Sequence, residues 1–271
     1  MRRLPTPLLL VVAVVVTAAV VLGLTVLVGT SQKRPVAFTG AAQDTPGPIV
    51  LVPGYGGSTR SLDRLAVKLR ATGRTAAVFA LPGDGTGDLT AQARALDAFV
   101  TEVRGGAPSV DVIGYSAGGV VTRLWIDDLG GRKIARRVVT VGSPHHGTRV
   151  AGLARAFASS SCPAACQQLA PDSPLLAGLN EGDETPSGPV WTSLWTDQDQ
   201  VVTPPDSGRL EGSTGVRLQA VCADERTDHG GLPDSPLVTG LVLAAVGVAA
   251  PAAPTAADCG RLRTLGAAAA S

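Results

Sequence analysis

Short apolar runs alternate with amphipathic stretches along the chain from Ile49 onward. Six of these runs are brief, rich in valine and continuous rather than alternating, which is typical of strands covered on both faces of a parallel sheet. The predicted strands are Ile49–Val52, Ala76–Ala80, Val110–Ile113, Val138–Val141, Val190–Trp195 and Val216–Val221.

Apolar residues at helical spacing occupy the intervals between the strands. Two clear sets are Leu62, Leu65, Ala66 and Leu69, and Ala93, Leu96, Phe99, Val100 and Val103. A third helix is predicted from about Ala117 to Asp128. Strands that alternate with helices favour an α/β fold, with a mostly parallel central sheet of about six strands flanked by helices.

Three later segments depart from this alternation. Residues 149–188 are irregular, and we predict mostly loop with short helices there. Residues 237–250 are apolar nearly throughout, but flanking prolines limit them to roughly 14 residues, which is short for a membrane span. We expect this segment to be a helix packed on the sheet, followed by an alanine-rich tail over residues 251–271.

The N-terminus carries a long apolar run from Leu8 to Gly29, preceded by Arg2 and Arg3. The run is long enough to cross a bilayer, longer than the apolar region of a cleaved signal peptide, and no A-x-A cleavage pattern follows it. We predict a signal anchor over residues 1–31, with a cleaved signal peptide as the alternative. A linker over 32–48 and a folded α/β domain over 49–250 follow, and both would lie outside the cytoplasm.

Cysteine usage agrees with export, because an even number of cysteines in an extracytoplasmic chain favours disulfides. The chain has four, and three pairings are possible. We favour Cys162–Cys166 as a small loop staple and Cys222–Cys259 as a clamp on the tail. No cysteine or histidine spacing completes a zinc pattern, so we expect no metal.

The charge balance argues against a nucleic-acid partner. The formal net charge is +1 and charged residues make up 17% of the chain. Binding to nucleic acid would instead require a basic patch or stripe.

Ser116 lies at the centre of a Gly-x-Ser-x-Gly motif at residues 114–118. A predicted strand precedes the motif and a predicted helix follows it, which is the context of a nucleophile elbow. The flanking glycines allow the tight turn. The turn would direct the backbone amide of Ala117 toward a developing oxyanion.

With this motif the chain resembles the α/β-hydrolase superfamily, and in particular small secreted bacterial lipases and esterases of the actinobacterial type. The first strand of that family ends in an H-G-x-G-G type loop. Residues 53–57 read Pro53-Gly54-Tyr55-Gly56-Gly57, so a proline replaces the usual histidine. The resemblance implies that the Tyr55 backbone amide is the second oxyanion donor beside Ala117.

The superfamily order of serine, acid and histidine identifies the general base. His229 follows the last predicted strand, where the family places it, and it is our choice. His145 and His146 follow Ser116 too closely to leave a strand for the acid. Their segment resembles a G-[TS]-P-H-x-G-[TS] stretch that shapes the pocket rim in lipase relatives.

The acid is expected in the loop after the fifth predicted strand. Residues 196–204 resemble the family pattern T-x-x-D-x-x-V-x-P, which selects Asp199. Asp197 remains an alternative, Asp206 a weaker one, and Asp228 is disfavoured because it adjoins the histidine.

The resemblance implies a serine hydrolase that cleaves carboxylic esters through an acyl-enzyme, without a cofactor. Expected partners are a small-molecule or lipid ester and, through the N-terminal segment, a membrane; we expect a monomer. Two alternatives stay open: thioesterase or acyltransferase chemistry on the same machinery, and a catalytically silent surface protein that uses the fold to bind.

Overall fold

The computed structural model describes residues 40–269. Its strands are β1 Ile49–Val52, β2 Ala76–Val78, β3 Val110–Tyr115, β4 Ala135–Val141, β5 Val190–Trp195 and β6 Thr214–Arg217. Its helices are α1 Arg60–Ala71, α2 Leu89–Arg104, α3 Ala117–Asp128, α4 Arg149–Phe157, α5 Ala164–Gln168, α6 Pro174–Leu179, α7 Leu218–Val221, α8 Pro236–Ala245 and α9 Cys259–Ala268. The predicted signal anchor lies outside the described residues.

The six strands form one parallel sheet in the order β2-β1-β3-β4-β5-β6. The chain runs from β1 outward to β2 and then crosses back to β3 on the other side of β1. Loops that follow β1 and β3 therefore diverge at a topological switch point, where ligands of open α/β sheets bind. The predicted parallel α/β fold is confirmed.

Apolar side chains cover both faces of the sheet. On one face, Val112 and Val138 lie in a buried cluster with Trp125 of α3. On the other face, Ile113 and Val139 lie in a second cluster with residues of α1 and α8. The continuous apolar strands of the sequence follow from this two-sided burial.

Four strand predictions need correction at their ends. β2 ends at Val78 rather than Ala80, and β3 continues to Tyr115 rather than ending at Ile113. β4 begins at Ala135 rather than Val138, because Arg136 and Arg137 are buried in the strand. Arg136 is neutralised by Asp111, with Nη2 to Oδ2 at 2.5 Å, and donates to the Val246 carbonyl. The strand thus extends through a buried ion pair that the apolar run Val138–Val141 does not include.

The sixth predicted strand, Val216–Val221, is only partly strand. β6 covers Thr214–Arg217, and the following four residues turn into the short helix α7. The Gln219 side chain lies on this turn and donates to the Thr196 hydroxyl and the Glu225 carbonyl. These polar contacts favour the helical turn over a longer strand.

The segment described as a tail contains a packed helix. α9 lies against α8, and the two backbones approach so closely that a Cβ on Gly266 would lie 1.8 Å from the Pro236 carbonyl oxygen. Both predicted disulfides are present, and Cys222–Cys259 joins the start of α9 to the end of α7. The C-terminal residues are therefore part of the folded unit.

The close contact between α8 and α9 gives a stability prediction. Gly266→Ala is expected to lower the free energy of unfolding by about 1–3 kcal/mol, because the added methyl forces the helices apart. Gly260→Ala is the control, since a Cβ there meets nothing within 4 Å, and it should stay within about 1 kcal/mol of wild type. Urea unfolding measures both; equal effects would contradict the role given to the contact.

Within residues 40–269, no helix has the length and apolar character that crossing a bilayer requires. The 237–250 segment accordingly forms the short helix α8, whose buried face includes Leu237 and Leu241. The expected packing of this segment on the sheet is confirmed.

Candidate active site

Ser116 lies in a strained turn between β3 and α3. Its backbone has φ 53° and ψ −128°, and it is the one non-glycine residue with positive φ in the described part of the chain. Such a conformation costs free energy and is held only where the surroundings impose it. The turn is tight because a Cβ on Gly114 would lie 2.6 Å from Gly119, and one on Gly118 would lie 2.3 Å from the Val52 oxygen.

The structure brings Ser116, His229 and Asp199 into one hydrogen-bonded chain. His229 Nε2 lies 3.0 Å from Ser116 Oγ, and His229 Nδ1 lies 2.7 Å from Asp199 Oδ2. All three residues are buried. This is the arrangement of a nucleophile, a base and a group that orients the base.

The other candidate carboxylates do not contact His229. Asp197 is exposed and pairs with Arg217 at 2.9 Å. The Asp228 carboxylate accepts from the Gly231 amide. Among the sequence candidates, Asp199 alone reaches the imidazole in the described structure.

Backbone amides hold the Asp199 carboxylate in place. Its Oδ1 accepts from the amides of Val201 and Val202 at 2.9 and 2.7 Å, which leaves Oδ2 for the histidine. The Thr196 hydroxyl closes the loop by donating to the Thr227 carbonyl. Asp199 and His229 therefore lie on loops that are hydrogen-bonded to each other.

Tyr115 is a functional candidate that the sequence reasoning missed. Its hydroxyl donates to the His229 carbonyl at 2.9 Å, and burial raises the pKa of this hydroxyl, which keeps it a donor. The residue fills the variable position before Ser116, so the motif itself draws no attention to it. Its bond fixes the loop that carries His229.

The loop after β1 lies against the nucleophile. A Cβ on Gly54 would lie 2.8 Å from Ser116 Cβ, so only glycine allows this approach. The amides of Tyr55 and Ala117 donate to no backbone or side-chain acceptor among residues 40–269. Gly56 fixes the loop by donating to the Gly85 carbonyl at 3.3 Å, a contact that does not need the histidine replaced by Pro53.

His145 and His146 lie away from Ser116. His145 is fully buried, bonds Thr140 Oγ1 at 3.0 Å through Nε2, and has its pKa lowered by burial and by the neighbouring Arg123. His146 is exposed and lies 2.7 Å from Glu184. Both belong to the segment between β4 and α4 rather than to the hydrogen-bonded chain at Ser116.

The loop that carries His229 is braced from the C-terminal helix. Arg263 of α9 donates to Asp224 at 3.0 Å and to Glu225 at 2.9 Å. Glu225 in turn accepts from the Thr227 hydroxyl. The Cys222–Cys259 disulfide links the start of the same loop to the start of α9.

Two cavities open on either side of Ser116. One, of about 270 Å³, is mainly apolar and is bounded by α4 and by the segment that carries the Cys162–Cys166 disulfide. The other, of about 320 Å³, is bordered by His229, Tyr115, Ser58 of the β1–α1 connection and Ser61 in the first turn of α1. Ser116, Tyr55 and Val201 border both.

The sequence and the fold identify the class of this protein. Residues 49–265 match the sequence model of the alpha/beta hydrolase family, and the chain belongs to that family. No curated protein matches its sequence. The structural neighbours include a fungal and a bacterial lipase.

Two solved structures show the extent of the likeness. Aspergillus fumigatus lipase B superposes with a TM-score of 0.65 at 17% identity, over 87% of this chain and 64% of that one. Bacillus licheniformis lipase BlEst2 in mature form superposes with a TM-score of 0.55 at 19% identity, over 65% of this chain and 84% of that one. The chain thus spans less than two thirds of the fungal enzyme, and at these identities the likeness shows the fold.

Proposed function

We propose that this protein is a serine hydrolase that cleaves carboxylic esters. The observation that carries the proposal is the continuous chain from Ser116 Oγ through His229 to Asp199, with separations of 3.0 and 2.7 Å. It lies at the switch point of an α/β hydrolase fold, beside an apolar cavity. The lipase neighbours make ester substrates plausible.

The first step is acylation of the serine. As Ser116 Oγ attacks the ester carbonyl carbon, its proton passes to His229 Nε2 and the carbonyl oxygen becomes an oxyanion. The free amides of Tyr55 and Ala117 donate to that oxygen. Collapse breaks the carbon–oxygen ester bond, and His229 returns the proton to the leaving alcohol.

The second step is hydrolysis of the acyl-enzyme. A water molecule loses a proton to His229 Nε2 and attacks the acyl carbon, and the same amides hold the second oxyanion. The acid is released and Ser116 regains the proton. The Asp199 carboxylate accepts a hydrogen bond from His229 Nδ1–H throughout. This bond fixes the tautomer of the imidazole and stabilises the imidazolium.

A fluorophosphonate probe tests this proposal on the full-length protein in detergent. We expect covalent labelling at Ser116 together with hydrolysis of p-nitrophenyl butyrate. Prior heat denaturation should abolish the labelling. A folded protein that is neither labelled nor active would contradict the proposal and favour a silent binding module. A protein that is labelled by the probe and hydrolyses thioesters but not esters would favour a thioesterase.

The two disulfides favour a location outside the cytoplasm, because cytosolic proteins rarely keep them. We further propose that residues 1–31 anchor the hydrolase domain to a membrane. A carbonate wash of membranes from cells that express the full chain should leave the protein in the pellet. Release of a shortened mature protein would instead establish a cleaved signal peptide.

A further inference from the structure

The two cavities beside Ser116 differ in their chemistry. The first is lined by aliphatic and small side chains, among them Val150, Ala151 and Ala154 of α4 together with Leu169 and Val202. The second is the more polar of the two, because Ser58, Ser61, Tyr115 and His229 line it beside apolar surface such as Val201. We refer to the first as the apolar cavity and to the second as the polar cavity. An ester placed on Ser116 must direct one half of the molecule into each.

The position of His229 determines which cavity receives the acyl half of the ester and which receives the alcohol half. The leaving alcohol oxygen must receive its proton from His229 Nε2, so it must come within hydrogen-bond reach of that atom. His229 borders the polar cavity and does not border the apolar one. The alcohol half therefore occupies the polar cavity, and the acyl half occupies the apolar cavity.

The two serines of the polar cavity have hydrogen-bonding capacity to spare. Among the described residues, the hydroxyls of Ser58 and Ser61 make no hydrogen bond, whereas Tyr115 is already bonded to the His229 carbonyl. Free hydroxyls that line an alcohol site suit an alcohol that itself carries hydroxyl groups. A purely aliphatic alcohol would leave them unpaired when it displaced water.

The apolar cavity limits the length of the acyl chain. Its volume of about 270 Å³ falls just below the ~300–1,000 Å³ of pockets that enclose drug-sized ligands. Buried Leu169 and the disulfide-bonded Cys166 are part of its wall. Such a site encloses a short or medium chain, while a long fatty chain would extend into solvent.

We propose that the substrates are esters of a short or medium apolar acid with a hydroxyl-bearing alcohol, and that the residues of α4 set acyl length while Ser58 and Ser61 set alcohol preference. This inference rests on the proposed ester hydrolase function. It assigns Ala154 as the residue that determines acyl length, because it faces the apolar cavity from the middle of α4.

Two substrate series test the assignment on the full-length protein. Glycerol monoesters from acetate to palmitate report acyl preference, and glycerol monobutyrate compared with butyl butyrate reports alcohol preference. We expect wild-type kcat/KM to peak at a short or medium acyl chain and to favour the glycerol ester about tenfold, as for a site whose polar groups are left unpaired by the analogue.

Variants at the two cavities should change different preferences. Ala154→Phe should move the peak to shorter acids and lower kcat/KM for the octanoate at least tenfold, and Leu169→Ala should move it to longer acids. Ser61→Ala, alone and with Ser58→Ala, should reduce the preference for the glycerol ester and leave the peak in place. Leu153→Phe is the control on α4, because Leu153 is 59% exposed and borders neither cavity.

Fluorophosphonate labelling of each variant verifies that its active site is intact. If Ala154→Phe does not fold, the shift of the acyl peak in Leu169→Ala still tests the assignment. An Ala154 or Leu169 variant that alters alcohol preference while the acyl profile stays unchanged would overturn the assignment. So would a wild type that hydrolyses esters without preference for either half. A wild type without labelling or ester turnover would instead refute the proposed function itself.

Discussion

Replacing Ser116 by alanine is expected to lower kcat/KM for ester hydrolysis by about 10⁴–10⁶-fold, the loss seen when the nucleophile of a serine hydrolase is removed. His229 then has no hydroxyl to deprotonate, and no acyl-enzyme can form. The amides of Tyr55 and Ala117 remain, so a small residual rate over water is expected. The change deletes one atom from a turn that is already held by its glycines, so the fold should persist.

Ser109→Ala is the matched control for this experiment. Ser109 immediately precedes β3, Ser116 immediately follows it, and the Ser109 hydroxyl donates to the Thr45 carbonyl at 2.6 Å far from the site. Both variants lose a serine hydroxyl next to the same strand, but only Ser116→Ala should lose activity and fluorophosphonate labelling. If Ser116→Ala kept more than about one per cent of the activity, another nucleophile would have to be sought.

Asp199→Asn is expected to lower kcat by about 10³–10⁴-fold, because the amide cannot hold the Nδ1 proton of His229 in the required tautomer. The amides of Val201 and Val202 still find an acceptor in the asparagine oxygen. With its oxygen bound to these amides, the asparagine turns its amide NH2 toward His229. An NH2 group donates rather than accepts a hydrogen bond, so it cannot stabilise an imidazolium. The loss should appear in kcat rather than in KM.

Asp197→Asn is the comparison that makes this result specific. Asp197 lies two residues away and pairs with Arg217 at 2.9 Å, an exposed contact of the kind that contributes little. Its kcat should stay within about threefold of wild type, since it does not touch the imidazole. A larger loss for Asp197→Asn than for Asp199→Asn, measured with p-nitrophenyl butyrate, would reverse the assignment of the acid.

The parallel sheet was predictable because strands that are buried on both faces have continuous apolar sequences. Val190–Trp195 is recovered with its exact bounds for this reason. β4 was not, since Arg136 and Arg137 interrupt the run. The buried Arg136 is paired with Asp111 of the neighbouring strand β3, and Arg137 donates to the Gln43 side chain. No local pattern reveals partners that distant in sequence.

In the candidate site, too, local features were predictable from the sequence and contacts between distant residues were not. The Gly-x-Ser-x-Gly turn is a local feature, so its position between β3 and α3 followed from the sequence. The choice between Asp197 and Asp199 rested on a resemblance to a family pattern, and only the three-dimensional path of the loop shows which carboxylate faces His229. The Tyr115 bond to the His229 carbonyl joins residues 114 positions apart and left no sequence signal.

The brace between α9 and the loop of His229 ties the position of that loop to the C-terminal helix. Arg263 and the Cys222–Cys259 bond restrict the loop before any substrate arrives. Without these contacts, we expect the imidazole of His229 to adopt orientations in which Nε2 does not reach Ser116 Oγ. A chain shortened ahead of Cys259 would keep Ser116, Asp199 and His229, and we expect it to be less active because it loses both the disulfide and the Arg263 contacts to this loop.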